Sequence, residues 1–376
     1  MDNKTKIVFV VEAMLGGIRQ HVCDIVENLD IEQYDIYLIY SDLRADDRFY
    51  EEKVKLEKKA KLILCNDMQR SLGKNDLAAY KKLVKLFREI KPDIVHCHSS
   101  KAGIVGRMAA KKCRVPLIVY TPNAYAFQEP NISSMKKQIY ILAERFLSRY
   151  ATDITINVSK GEMALAQKYH LDQKSKFTLI YNGIPQIELP DKSLLREEIG
   201  FNQDTYYVGV TARCAKQKDP FTFLKIAEKV ISSRQNIKFV YIGDGELYDE
   251  MCQWIRERGL EDKIHMLGFH SDAARIVGAL DLYLSTALYE GLPYSMIEAM
   301  RAGVPIIATD VVGNNELVFE DINGKMFSAK NVNDGVKLII EQIDDENIKK
   351  ENVMTTFEKK FSLSTMMENL QILYRK

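Results

Sequence analysis

Apolar positions along this chain fall into two alternating patterns. Short runs rich in Ile, Val, Leu and Tyr occupy residues 7–11, 36–39, 62–64, 94–97, 117–120 and 154–158. Runs of this kind predict strands of a parallel sheet covered on both faces. Between several of them apolar residues return every third or fourth position, as Ile18, Val22, Ile25 and Leu29 do, which puts them on one face of a helix. The second half repeats the alternation with runs at 207–211, 238–242, 264–266, 282–285 and 305–308. Two successive strand–helix series predict an α/β chain of two doubly wound, Rossmann-like domains. Periodicity breaks over 182–192, where NGIPQIELPDK carries two prolines and a glycine, so the expected domains are residues 1–183 and 184–360. No solenoid-length repeat or low-complexity segment interrupts them.

Residues 281–316, DLYLSTALYEGLPYSMIEAMRAGVPIIATDVVGNNE, join one buried run to the next through a loop and a helix. Pro293 suits a first helical position, Tyr294 to Met300 the helix and Gly303 its end. A helix that starts beyond the carboxyl end of a strand presents backbone N–H groups, here those of Tyr294, Ser295 and Met296, to an anion. Glu290 in the loop and Glu298 one turn into the helix add carboxylates that accept from hydroxyl groups. Phosphate binding beside two such carboxylates describes a site for a nucleotide sugar. The bland alternative is two surface charges on a loop and an amphipathic helix.

The stretch resembles the signature of the retaining GT-B glycosyltransferases, in particular the family 4, group 1 type of bacterial capsule, exopolysaccharide and O-antigen synthesis. That family carries a glutamate, seven residues, then a second glutamate, with Gly-Leu-Pro or Gly-Phe-Gly after the first. Here the pattern reads Glu290, Gly291, Leu292, Pro293 and Glu298. The resemblance implies two Rossmann-like domains facing a cleft, the first for the acceptor and the second for the nucleotide sugar. It also implies a last helix, about 361–376, that crosses back to the first domain, with Met366, Leu370, Leu373 and Tyr374 as its apolar stripe.

Site residues follow from the same resemblance. Arg213 and Lys218, just after a strand in VGVTARCAKQKDP, would clamp the donor diphosphate and take up charge on the leaving group, with Lys216 as a near neighbour. Gly16 and Gly17, ahead of the first helix, would let backbone approach a ligand closely. IGDGEL lacks the third glycine of a dinucleotide fingerprint, so Gly243 and Gly245 would form a loop over the ribose and base. Gly268, Phe269 and His270 would meet the base through main-chain groups. His96 and His98 share one face of a strand and fit a structural role, with Lys101 or Ser99 close enough to reach acceptor or phosphate. In VYTPNAYAF, relatives commonly carry a histidine whose carbonyl lies under the reacting sugar carbon; here the residue is Asn123, which keeps hydrogen-bonding capacity and loses acid–base chemistry. Tyr125 and Phe127 either stack on sugar or acceptor or simply pack the loop.

With 376 residues, 46% apolar and 28% charged, the chain has the make-up of a globular protein large enough for two cores. No run approaches the eighteen or so apolar residues of a membrane span, and no cleavage site precedes the first strand. A cytoplasmic location is expected. Six scattered cysteines without a CxxC pair read as reduced thiols. The net charge of +1 is unevenly divided: residues 1–185 hold 30 Lys+Arg against 22 Asp+Glu, or +8, and the remainder 23 against 30, or −7. A basic first half suits peripheral contact with an anionic membrane on its inner face, or a pyrophosphate-linked acceptor, as well as it suits scattered solvated lysines. Nucleic acid is not an expected partner, because lysines and glutamates alternate over 51–61 and no aromatic platform is interleaved.

No DxD occurs, so no divalent metal or other cofactor is expected, and Arg213 with Lys218 would replace the ion. The expected reaction moves a hexose or N-acetylhexosamine, with retention, from a nucleotide-diphosphate sugar. A UDP-sugar is the expected donor, and the acceptor a hydroxyl of a surface polysaccharide or polyprenyl-diphosphate-linked glycan. Rival readings are a nucleotide-sugar epimerase or phosphorylase of the same fold, and a non-catalytic partner that binds sugar nucleotide or glycan.

Overall fold

A computed structural model describes residues 4–69, 73–128 and 132–375. The chain divides into two compact units, Met1–Asn182 with Met366–Lys376, and Gly183–Thr365. The division falls at the start of the 182–192 segment, and the chain rejoins the first unit at Met366, inside the expected returning helix. Lys376, the last residue of that helix as expected, lies outside the described residues.

The first unit holds a seven-stranded sheet in the order β3-β2-β1-β4-β5-β6-β7. Its strands are β1 (Thr5–Val11), β2 (Tyr34–Tyr40), β3 (Ala60–Leu64), β4 (Ile94–His98), β5 (Leu117–Thr121), β6 (Ile154–Asn157) and β7 (Phe177–Leu179). The second holds β8 (Tyr206–Thr211), β9 (Ile237–Ile242), β10 (Ile264–Gly268), β11 (Leu282–Ser285), β12 (Ile306–Thr309) and β13 (Gly324–Phe327), in the order β10-β9-β8-β11-β12-β13. Every ladder within the two sheets is parallel, so successive strands are joined by crossovers that helices supply. Strand order reverses between β1 and β4 and again between β8 and β11. Loops leaving the carboxyl ends there diverge to opposite faces and open a crevice in each sheet.

β7 and β13 were not among the expected runs. FTL and GKMF are edge strands with half-buried residues, too short and too mixed to register as apolar blocks. The central β1 is the opposite case, with Ile7 to Val11 wholly buried. Helices Lys74–Ile90, Ser100–Cys113 and Ser134–Ala151 share one core cluster, through Leu83, Phe87, Val105, Ala109 and Ile141 among others. Inside this layer Arg107 is fully buried, bonded to Glu144 at 2.9 Å and lying 3.7 Å above the ring of Tyr120. Tyr120 in turn donates to the other Glu144 oxygen at 3.1 Å. The last helix, Leu363–Tyr374, is tied to β4 where Tyr374 Oη meets His96 Nδ1 at 2.7 Å, the other ring nitrogen meeting Thr121 Oγ1 at 2.8 Å. His96 is thus a satisfied core residue, and burial drives its pKa well below the usual imidazole range. No helix among the described residues is long and apolar enough to cross a membrane.

Candidate active site

The crevice between β8 and β11 gathers several of the expected donor-site residues. Lys218 follows β8 and Glu290 follows β11, and the two form an ion pair, Lys218 Nζ donating to Glu290 Oε1. The side chains retain only 22% and 10% of their accessibility. Backbone zips the two loops together: Leu288 N–H donates to the Gln217 carbonyl at 2.8 Å, and Gln217 Nε2 to the Tyr289 carbonyl at 2.9 Å. Thr286 Oγ1 closes the seam, donating to the carbonyls of Lys218 (2.9 Å) and Asp219 (3.0 Å). The floor is Tyr283, whose hydroxyl exchanges hydrogen bonds with the backbone of Thr211 at 3.1 and 3.2 Å. Burial raises its pKa, the Ser295 hydroxyl eases the shift, and the charges of Glu298 and Glu290 add to it. The charges of both expected carboxylates are therefore felt at one phenol on the floor of the crevice, which Glu290 also lines.

The helix beyond Glu290 runs Tyr294–Arg301, with Pro293 as its N-cap rather than its first residue. Proline offers no side chain to cap the turn, but its carbonyl accepts from Met296 N–H at 3.1 Å. That bond withdraws Met296 from the trio expected to face an anion. Ser295 lines the crevice with Lys218, Tyr241, Tyr283 and Glu290. Gly303 ends the helix as expected, in the left-handed region at φ +73°.

Arg213 stands apart from this pair. Its guanidinium is 72% exposed and meets Glu246 at 3.2 Å. The loop that holds it is clasped by the 243–247 loop, with Cys214 N–H donating to Asp244 and Leu247 N–H to Cys214, both at 2.9 Å. Gly243 and Gly245 make the clasp feasible. A Cβ would fall 2.0 Å from the Ala212 carbonyl oxygen at one and 2.7 Å from that of Cys214 at the other. Gly243 N–H also donates to the Gly268 carbonyl at 2.8 Å. Beyond it Phe269 and His270 are exposed at the end of β10.

In the first unit, Gly16 opens the helix Gly16–Asn28 at φ +54°, and Gly17 lies one residue inside. The Gly16 N–H donates to Asp46 at 2.9 Å, so a carboxylate of the chain itself takes a donor expected to face a ligand. Asn123 and Ala124 both adopt positive φ, +51° and +82°. Asparagine tolerates that region better than most residues and alanine does not. The turn is held by Glu162, whose carboxylate accepts from Ala124 N–H at 2.6 Å and Val158 N–H at 2.9 Å. Asn123 Oδ1 is buried, and its side chain acts on the buried His98 ring. Tyr125 and Phe127 are buried and stack on each other, centroids 4.9 Å apart, so they pack the loop and do not present rings to a sugar. Lys101 is paired with Asp76 at 2.6 Å.

Sequence reading missed Tyr283, Thr286 and Glu162, whose roles arise from contacts distant in sequence. It also missed Gly313, at φ +94°, where a Cβ would lie 2.6 Å from Glu290 Cβ and 2.7 Å from the Gly291 carbonyl oxygen. Only glycine lets that backbone press against the Glu290 loop, whose N–H donates to Val312 at 3.0 Å. The one available signal was its place just after the run 305–308.

Residues 15–186 match the family described as Glycosyltransferase Family 4, and residues 191–361 that described as Glycosyl transferases group 1. The UDP-Gal:alpha-D-GlcNAc-diphosphoundecaprenol alpha-1,3-galactosyltransferase of Escherichia coli is 28% identical over 384 residues, covering 99% of this chain and 97% of that protein. Anabaena HepE, solved in complex with UDP, superposes with a TM-score of 0.79 at 21% identity, over 98% of this chain and 99% of that one. A glycosyltransferase from Rickettsia africae ESF-5 gives a TM-score of 0.81 at 19% identity, over 99% and 98%. Matched along almost its whole length in sequence and in its two-sheet architecture, the chain belongs to the group 1, family 4 glycosyltransferases of GT-B fold.

Proposed function

We propose that the second unit binds a UDP-linked hexose or N-acetylhexosamine and that the enzyme transfers the sugar, with retention and without a metal ion, to a hydroxyl of a lipid-diphosphate-linked glycan. The observation that carries this reading is the Lys218–Glu290 pair at the switch point between β8 and β11, a cation for phosphate beside a carboxylate for sugar hydroxyls. Support for the nucleotide comes from HepE, solved with UDP. Support for the acceptor comes from the Escherichia coli relative, named for galactose transfer to a GlcNAc-diphosphoundecaprenol.

In this scheme the bond from the sugar's anomeric carbon to the diphosphate breaks with its electrons leaving on UDP. The acceptor oxygen attacks the same face, and its proton passes to a departing phosphate oxygen. Lys218 stabilises the charge that grows on that oxygen, joined by Arg213 once its guanidinium turns away from Glu246, and Glu290 orients the sugar. The test is transfer from radiolabelled UDP-sugars to a polyprenyl-diphosphate N-acetylhexosamine, with product stereochemistry read by NMR. Turnover should survive excess EDTA, and Lys218→Ala should lower kcat by about 10²–10³. Activity abolished by EDTA and restored by magnesium would refute metal independence. Release of an altered free sugar without acceptor would favour an epimerase, and donor binding with no turnover a non-catalytic partner.

A further inference from the structure

A cavity of about 890 Å³ opens at the end of the second sheet opposite the donor crevice. Its wall includes Tyr206, which begins β8, Asp281, which precedes β11, and Pro305, which precedes β12. These are the amino ends of the strands, whereas ligands of open parallel sheets ordinarily sit beyond the carboxyl ends. The volume is that of a small-molecule site, and every lining residue belongs to the unit Gly183–Thr365. Leu189, Leu195, Leu280, Ile348 and Met354 give it apolar walls.

Arg301, the last residue of helix Tyr294–Arg301, lines the cavity and is 7% exposed. Its Nη1 donates to the Pro185 carbonyl at 2.9 Å, while Nε is buried and meets no acceptor among the described residues. A guanidinium carries five N–H donors and buried donors are ordinarily matched, so this one has capacity left for an anion. Burial draws its pKa below the usual guanidinium range, against the charge of Glu298. Just past the helix end, a Cβ on Gly303 would fall 2.5 Å from Lys350 Cγ, so the stem of Lys350 crosses the same wall. Lys350 opens helix Lys350–Lys360, which no side chain caps. In its first turn Asn352 and Val353 N–H donate to the Lys349 carbonyl at 3.1 and 3.3 Å, and the N–H groups of Lys350 and Glu351 are left to whatever occupies the cavity. Of the acids, Asp281 is answered by Lys192 and Arg196. Glu188, Asp191, Glu346 and Glu351 are exposed and stand at the rim.

We propose that this cavity binds a phosphate monoester of a small polyol, with the phosphate on Arg301, Lys350 and the first-turn N–H groups and the hydroxyls on the rim carboxylates. The distribution of charge sets that orientation. A phosphate at the rim would meet four carboxylates, whereas at the buried wall it meets a guanidinium with unused donors and an uncapped helix start. Hydroxyl groups reverse the preference, because ionised carboxylates only accept. A wholly apolar ligand would leave Arg301 Nε as unmatched as before. The site is distinct from the donor crevice and stands or falls without the transfer reaction proposed above.

The test is titration calorimetry on the full-length enzyme, with glucose 6-phosphate, glucose and inorganic phosphate as probes. Glucose 6-phosphate should bind at a single site, at least tenfold more tightly than inorganic phosphate, and glucose should give no measurable heat. Arg301→Gln should weaken that binding at least tenfold, and so should the exposed pair Lys349→Glu with Lys350→Glu, since each removes charge-assisted hydrogen bonds. Lys218→Ala, in the donor crevice, should bind the ester as wild type does. Should Arg301→Gln fail to fold once its bond to Pro185 is gone, the lysine pair decides. Lost binding in Lys218→Ala would put the ester in the donor crevice and overturn the proposal, as would unchanged affinity in the lysine pair or a wild type that binds none of the probes. Inorganic phosphate bound as tightly as the ester would overturn the polyol ester as occupant. None of these readings uses transfer activity, so an enzyme inactive on every UDP-sugar would sink the functional reading and leave this one intact.

Discussion

Glu162 shows how one buried side chain can set the geometry of a loop distant in sequence. It caps nothing at the surface; its carboxylate sits wholly buried under two consecutive residues of positive φ, each of which costs on the order of 1 kcal/mol to hold. Burial raises its pKa to about 7, against the opposing pull of the Val158 and Ala124 N–H groups, and the phenols of Tyr120 and Tyr125 are its titratable neighbours. A carboxyl that holds its proton more tightly folded than unfolded contributes its full stability below about pH 4.5, and loses it as pH rises through 7. Glu162→Gln does not titrate, so its stability relative to wild type should climb by about 3 kcal/mol between pH 4.5 and 7. The oppositely signed contribution of buried His21, whose pKa falls to about 4, is common to both proteins and cancels. Urea midpoints at three pH values read the difference. Parallel profiles would remove Glu162 as the titrating group.

Among the elements, the helix layer of the first unit depends on a charge no apolar pattern reveals. Arg107 lies in the interior with bonds to Gly103, Thr152 and Glu144, joining helices Ser100–Cys113 and Ser134–Ala151 to β5 through Tyr120. Glu144→Ala leaves a buried guanidinium without its counter-charge and should cost about 3–5 kcal/mol, while Glu144→Leu with Arg107→Met should recover most of it. A single-variant loss below about 1 kcal/mol in urea unfolding would show that water reaches the arginine. Local pattern made most of the remaining architecture legible, because a strand covered on both faces must be apolar throughout and the helices between must be apolar on one side. It could not order the strands. β8 and β11 are 71 residues apart at their closest yet adjacent in the sheet, and that adjacency is what pairs Lys218 with Glu290 and puts Tyr283 under both. The glutamates stood out by their place between two buried strands, more than by their spacing. Gly313, Thr286 and Glu162 did not, since each acts on a segment brought near only by the fold, and Tyr125 and Phe127 stayed undecided between stacking on a ligand and packing the loop because a sequence does not say which way a loop turns its rings.

At the scale of the molecule, the two units differ in how they are threaded. The second is one continuous stretch, Gly183–Thr365, whereas the first is closed by Met366–Lys376, through the bond between Tyr374 and His96. Removing residues 366–376 should therefore unsettle the first unit and spare the second. Hydrogen exchange should speed up in β4 and β5 and stay unchanged in β8 and β11; uniform protection in both sheets would show that the tail is dispensable. The same threading imposes an order on synthesis. A ribosome that has finished the first sheet must still make the whole second unit before Tyr374 exists, a wait of roughly 10–40 s at ordinary elongation rates. For that interval the His96 ring keeps Thr121 but lacks the hydroxyl of Tyr374, and the nascent first unit stays open to chaperones at the edge where its last helix will settle.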